Sequence, residues 1–197
     1  CMNPEKLRSF CEIECELQEE HLVYKKTGQV VKAVVVVHVF GNLADMEQIM
    51  EIAGQYHLKV IEDATEALGS HFTDGKYAGI GDYGAYSFNG NKIITTGGGG
   101  AITAKNPSDL DYVKYLSTQA KDDALYYVHN EIGYNYRMTN VQAAIGVAQL
   151  ELLSEFIQRK QKNYDTYQKC LKKIGLPQLL EFRQGTESNK WFYSFPI

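Results

Sequence analysis

Lys92 closes the run Ser87-Phe88-Asn89-Gly90-Asn91-Lys92, and the glycines Gly97 to Gly100 follow shortly after it. A lysine amine in a loop of small residues can attack a carbonyl and form a Schiff base, most often with pyridoxal phosphate. Most loop lysines are only solvated charges, so the surroundings must carry the argument. Upstream, Leu58-Lys59-Val60-Ile61-Glu62-Asp63 reads as a short apolar strand that ends on a carboxylate. In open α/β sheets, ligands gather at the carboxyl ends of strands. A carboxylate there, beside a pyridine nitrogen, would keep that nitrogen protonated and let the ring draw electrons from a developing carbanion. Asp63 has the chemistry for this role, although the plainer reading is a cap on the following segment, Ala64 to Gly69.

These groups need a scaffold, and the chain alternates helix and strand. Asn3-Pro4-Glu5 predicts a helix start, with Asn3 as cap and a helix running to about Leu22. Thr27-Gly28 marks a turn, and Val31 to Val39 reads as a strand apolar on both faces, as a parallel sheet covered by helices requires. Asp45 opens a helix in which Met46, Ile49, Ala53 and Tyr56 recur at three- and four-residue steps, delivering the chain to the strand that ends at Asp63. Tyr83 to Phe88 and Gly100 to Ala104 read as strands flanking the Lys92 loop, followed by a helix over Ser108 to Leu116 capped by Ser108 or Asn106.

Thr139 or Asn140 can cap one long helix carrying an apolar stripe, Val141, Ile145, Ala148, Leu152 and Phe156. Its first turns are expected to cover the main domain, and its charged half, Glu155 to Lys173, to form a solvated bridge that ends at Gly175-Leu176-Pro177. The run Gly97 to Gly100 opens a strand, whereas a dinucleotide fingerprint opens a helix. It is therefore read as backbone passing close to the lysine at φ values that glycine adopts cheaply. His38, at the end of its strand, is read as a hydrogen-bonded terminus rather than a substrate or cofactor contact.

Taken together, Val60 to Ser70, Gly81 to Phe88, Asn91-Lys92 and Thr95 to Gly100 resemble the sugar-nucleotide aminotransferases of the DegT/StrS type. Val37 to Gly41 with Ala44-Asp45-Met46, and Gly133 to Met138 with Gln142-Ala143-Ala144, extend the resemblance over roughly residues 30 to 160 in matching order and spacing. Within the family the detail is nearest to enzymes that aminate UDP-linked 4-keto-6-deoxy-N-acetyl sugars on bacillosamine or legionaminic acid routes.

The resemblance implies an α/β fold: fold type I of the pyridoxal phosphate-dependent transferases, a mixed, mostly parallel sheet flanked by helices, with the start of a small C-terminal domain. It places residues 1–160 in the large domain and 161–197 in the bridging helix and small domain. It implies that Lys92 is the Schiff-base lysine, Asp63 the partner of the pyridine nitrogen and Ser87 a phosphate ligand. Asn135 matches an asparagine that reaches the phosphate from the neighbouring subunit of a homodimer with shared sites. Glu66 stands where many members have glutamine or histidine near the phenolic oxygen of the cofactor, which is a departure. Arg137 could contact substrate phosphate, or could be a structural ion-pair or cap residue. A nucleotide-linked keto-sugar and an amino-acid donor, most simply glutamate, are the implied substrates. A dehydratase relative would carry histidine in place of Lys92; a non-catalytic or regulatory relative remains the alternative.

Composition agrees with a globular, cytoplasmic enzyme: 197 residues, 44% hydrophobic and a formal charge of -4, with no basic excess to suggest nucleic-acid binding. Cys1, Cys11, Cys15 and Cys170 lack the pairing of a metal site and read as reduced thiols. The longest apolar run, Ala33 to Val37, is far too short to span a bilayer, so no membrane partner is expected. An opening at Cys1-Met2-Asn3-Pro4 and an ending in the apolar run Phe195-Pro196-Ile197 suggest a chain cut at both ends, since members of the resembled family are about twice as long.

Overall fold

Asn3 caps the first helix as expected: its side chain accepts the Lys6 amide, and α1 spans Pro4–Ser9 in the computed structural model. The structure describes residues 1–123 and 125–196, and Ile197, the expected end of the last apolar run, lies outside them. The helix does not continue to Leu22. After one wide turn at Phe10–Glu14 the chain becomes β1 (Cys15–Gln18), β2 (His21–Tyr24) and β3 (Gln29–Val31), a three-stranded antiparallel sheet. Burial overrides helix propensity here. Cys11, Cys15 and Leu22 enter one core with Ile49, Ile52 and Tyr56, and Glu19 turns the hairpin at a φ of 55°. Burial pushes the Cys11 thiol up to about 11, with the neighbouring Cys15 adding to the effect.

The expected strand Val31 to Val39 is two elements that part at Lys32. β3 ends one sheet, and β4 (Ala33–Val37) begins the next. Asp45 caps α2 (Met46–Gln55) by accepting the Gln48 amide, and β5 (Lys59–Asp63) runs parallel to β4 with Val37 opposite Asp63. β6 (His71–Phe72), β7 (Tyr83–Ser87) and β8 (Gly100–Ala104) follow. The central sheet has the order β4-β5-β7-β8, with the first three strands parallel and β8 antiparallel. It is mixed and mostly parallel, as the resemblance implied. The double coverage inferred for β4 is corrected: Val34 and Val36 are buried in the core that α2 joins, whereas Val35 is 54% exposed and Val37 38%.

α3 spans Pro107–Ser117 with Asn106 as its cap. The long helix beyond residue 139 breaks at Leu152 into α4 (Asn140–Glu151) and α5 (Leu153–Lys173), with Thr139 and Gln142 forming a reciprocal capping box. Its apolar stripe is not core, since Val141, Ile145 and Leu152 are all exposed. α4 instead docks through a small and polar edge. Gln149 accepts the Thr95 amide at 2.9 Å, and a Cβ on the buried Gly146 would stand 3.0 Å from Thr96. Spaced as they are, Gln142, Gly146 and Gln149 share one helical face that lies over the loop after Lys92. α5 ends before Gly175, whose φ is 72°, as the Gly-Leu-Pro sequence predicted.

The chain then returns. Tyr164 on α5 donates to the Leu180 carbonyl, β9 (Thr186–Glu187) pairs with β6, and Arg183 reaches Asp45 at 2.8 Å. Beneath the sheet the fully buried His38 and Glu62 form a pair at 2.8 Å. The Ala44 amide donates to His38 Nδ1, so Nε2 carries the proton that His38 donates to Glu62. This is the hydrogen-bonded role read for His38 from sequence.

Candidate active site

Parallel register brings the ends of three strands to one edge. Val37, Asp63 and Ala85 lie abreast, Ser87 is two residues further along β7, and Gly100 pairs with Ser87 at the start of β8. Among the described residues, Asp63 receives one side-chain hydrogen bond, from the Thr65 amide at 3.2 Å, which accounts for only one of its two oxygens. The segment after Asp63 turns at Ala67 and Ser70 without forming a helix, so Asp63 caps a turn at most. Ser87 is half-buried and accepts the Asn89 amide.

Lys92 lies in the loop after β7, its amide bonded to the Asn89 carbonyl. Its side chain is only 13% exposed, and Nζ stands 3.8 Å from a Glu66 carboxylate oxygen. The other Glu66 oxygen accepts the Phe40 amide at 2.7 Å. Phe40 adopts a left-handed φ of 59°, rare for an aromatic residue and of the kind that surrounding structure must impose. The Lys92 ammonium also lies over the Trp191 ring, 4.3 Å from its centroid. The structure therefore brings together Lys92 and Glu66, with Asp63 and Ser87 on the same sheet edge.

Asn135 and Arg137 are elsewhere within the chain. Both are exposed and line a cavity of about 690 Å³ with Tyr86, Gly99 and Met138, whereas Lys92 lines a smaller one of about 310 Å³ with Phe156, Arg159, Lys160 and Trp191. The cap of the helix after Arg137 is Thr139, so the cap reading of Arg137 does not hold. The glycine run is also corrected. Gly97 and Gly99 take positive φ, but the atoms that crowd Gly99 and Gly100 belong to Met138 and Tyr86, not to Lys92. These glycines let the β7 to β8 connection close tightly, with the Phe88 amide bonded to the Gly99 carbonyl.

Sequence reasoning missed Phe40, Lys160, Asn189 and Trp191. Burial pulls the Lys160 ammonium below the usual lysine range, and it lies over the Tyr193 ring. Trp191 is the single tryptophan of the chain, which was the one available signal, but nothing in its spacing ties it to a lysine 99 positions earlier. Among the described residues no cluster of three metal-ligating side chains occurs, and no helix is long and apolar enough to cross a membrane.

The chain carries its lysine loop at the carboxyl edge of a mixed, mostly parallel sheet. It belongs to the DegT/DnrJ/EryC1/StrS aminotransferase family, whose model matches residues 11–197. GDP-perosamine synthase of Escherichia coli O157:H7 is 44% identical over 153 residues, covering 77% of this chain and 42% of that protein. The UDP-4-amino-4,6-dideoxy-N-acetyl-beta-L-altrosamine transaminase of Campylobacter jejuni (serotype O:23/36, strain 81-176) is 29% identical over 177 residues, 89% of this chain and 46% of the relative. Among solved structures, a DegT DnrJ EryC1 StrS aminotransferase from Brucella abortus superposes with a TM-score of 0.82 at 25% identity, over 98% of this chain and 48% of that one. The chain thus spans less than half the length of each of these proteins.

Proposed function

We propose that the protein is a pyridoxal phosphate-dependent aminotransferase acting on a nucleotide-linked keto-sugar, with glutamate as amino donor. The observation that carries this reading is the largely buried Lys92 amine beside Glu66, at the sheet edge that also holds Asp63 and Ser87. These residues fit the cofactor. Lys92 offers an amine to its carbonyl, Asp63 has an oxygen that takes no protein hydrogen bond among the described residues, and Ser87 offers a hydroxyl to the phosphate. When bound, pyridoxal phosphate supplies an electron sink that stabilises negative charge on the amino-bearing carbon.

The chain's own residues do the rest. With the cofactor bound, Asp63 would hold the proton on the ring nitrogen, and Glu66 would hold the Lys92 amine through its carboxylate. Lys92 Nζ would then act as the general base that takes the proton from the donor carbon and as the general acid that delivers it to the cofactor carbon. In the sugar half-reaction Lys92 moves the proton in the opposite direction. Arg137 is assigned to substrate phosphate. Asn135 is assigned to the phosphate site of a partner subunit in a homodimer, an assignment supported by its exposure and its separation from the Lys92 cavity.

The relatives' names include both GDP- and UDP-linked sugars. A UDP-linked 4-keto-6-deoxy-N-acetyl sugar is the proposed substrate, and a GDP-linked 4-keto-6-deoxy sugar is its direct competitor in the assay. Purified protein incubated with pyridoxal phosphate and reduced with borohydride is expected to carry the pyridoxyl mass on the Lys92 peptide. Lys92→Ala is expected to lose both this label and glutamate-dependent amination of the sugar while keeping its fold. Label on another lysine, or turnover retained in Lys92→Ala, would overturn the assignment, and labelling without turnover on any nucleotide keto-sugar would favour a binding relative.

A further inference from the structure

Asn189 is fully buried and every hydrogen-bonding group of its side chain is used. Its amide nitrogen donates to the Glu66 carbonyl at 2.8 Å and the Leu68 carbonyl at 2.9 Å, and its oxygen accepts the Trp191 amide at 2.9 Å. The Asn189 backbone amide donates to Ser70 Oγ, which donates in turn to the Gly41 carbonyl. Trp191 is 6% exposed, and its indole N–H donates to the Asn91 carbonyl at 2.7 Å, one residue before Lys92. Lys190, between the two, takes a left-handed φ of 50°, which turns Asn189 and Trp191 toward one another at a conformational cost that the surrounding bonds must offset.

From these contacts we infer that Asn189 and Trp191 form a clasp that positions Lys92 against Glu66. Each end of the clasp holds one of the two segments. Asn189 fixes the backbone that carries Glu66, and Trp191 fixes the backbone that carries Lys92. The indole face also lies 4.3 Å from the Lys92 ammonium, close enough for the ring quadrupole to attract the cation. Burial alone would place a tryptophan anywhere in the core. What marks this one as a positioning residue is the pairing of an N–H bond to the lysine loop with a ring face under the lysine nitrogen. The inference rests on the proposed role of Lys92 and adds residues that no motif around Lys92 contains.

The test uses Trp191→Leu and Trp191→Phe, with the thermal unfolding midpoint of each recorded as a control. The readouts are the pyridoxal phosphate concentration that half-labels Lys92 after borohydride reduction, and the visible circular dichroism of the cofactor-loaded protein, which reports its orientation. Trp191→Leu removes ring and donor, and about tenfold weaker labelling with altered dichroism is expected. Trp191→Phe keeps a ring face and loses only the donor, so about two- to fivefold weaker labelling is expected. Labelling and dichroism equal to the parent in Trp191→Phe and, where it folds, Trp191→Leu would overturn the clasp. Absence of label from Lys92 in the parent protein would instead overturn the proposed function.

Discussion

The Lys92 ammonium and the Glu66 carboxylate stand 3.8 Å apart, although 26 residues separate them and neither lies in a regular element. Glu66 is occupied on both oxygens, one by the Phe40 amide and the other facing Lys92. A glutamine can still accept the Phe40 N–H through its carbonyl, so Glu66→Gln is expected to keep activity within about tenfold, the worth of a single charge-assisted hydrogen bond. Glu66→Ala removes both partners and is expected to lose at least about tenfold more. Comparing the kcat/KM of the two variants checks this; equal losses would show that only the negative charge matters.

Glu62 and His38 give a pH-dependent prediction. Burial pushes the Glu62 carboxyl up, but hydrogen bonds from His38 and from the Gly81 and Gly79 amides outweigh it and hold the group below its ordinary 4.5. A carboxyl depressed in the folded state contributes stability that is present above the unfolded value and is lost as pH falls through the folded one. Glu62→Gln is therefore expected to cost about 3 kcal/mol at neutral pH, because a buried acceptor of three donors gains an amide N–H that has none of them as partner. Its stability should also change less than the parent's between about pH 5 and 3. Urea unfolding across that range measures both, and parallel pH curves would refute the assigned cause.

Asp63→Asn separates the electrostatic role of Asp63 from its structural one. The asparagine oxygen can still accept the Thr65 amide, so the strand end keeps its local bond and the fold should be unchanged. An amide cannot hold a pyridine nitrogen protonated, and a fall in kcat of about two orders of magnitude or more is expected, with Lys92 labelling retained. Unaltered turnover would mean that a different acid faces the ring.

The strand ends that carry Asp63 and Ser87, and the loop with Lys92, were legible because their signals are local: a β-branched run, a terminal carboxylate, a glycine run. What was not legible depends on distant burial. Cys15 and Leu22 sit in a stretch with a well-capped helix start, yet become strand residues because the core formed with α2 takes their side chains. The α4 stripe has helical spacing, but Gln142, Gly146 and Gln149 supply the contact face, so apolarity pointed to the wrong side of the helix. Asn189 and Trp191 meet Glu66 and Asn91 only after the chain has passed through α5 and returned, a closure that no spacing records.

That closure also explains Gly41. Its φ is +79°, and a Cβ there would collide with Asn189 Oδ1, stand 2.9 Å from Asn189 Cγ and lie 3.1 Å from the Glu66 carbonyl. Gly41→Ala therefore adds a steric conflict with the clasp to the strain of a left-handed alanine, and a loss of about 2–4 kcal/mol is expected. Gly75 is the control, with a φ of +86° and nothing within 4 Å of a Cβ, so that Gly75→Ala should cost only about 1 kcal/mol of backbone strain. Denaturant unfolding of both variants gives the comparison. The Gly41 variant should in addition label Lys92 less readily, because moving Asn189 releases the Glu66 segment and Trp191 together; equal costs for the two substitutions would mean that Asn189 yields freely and does not hold the site.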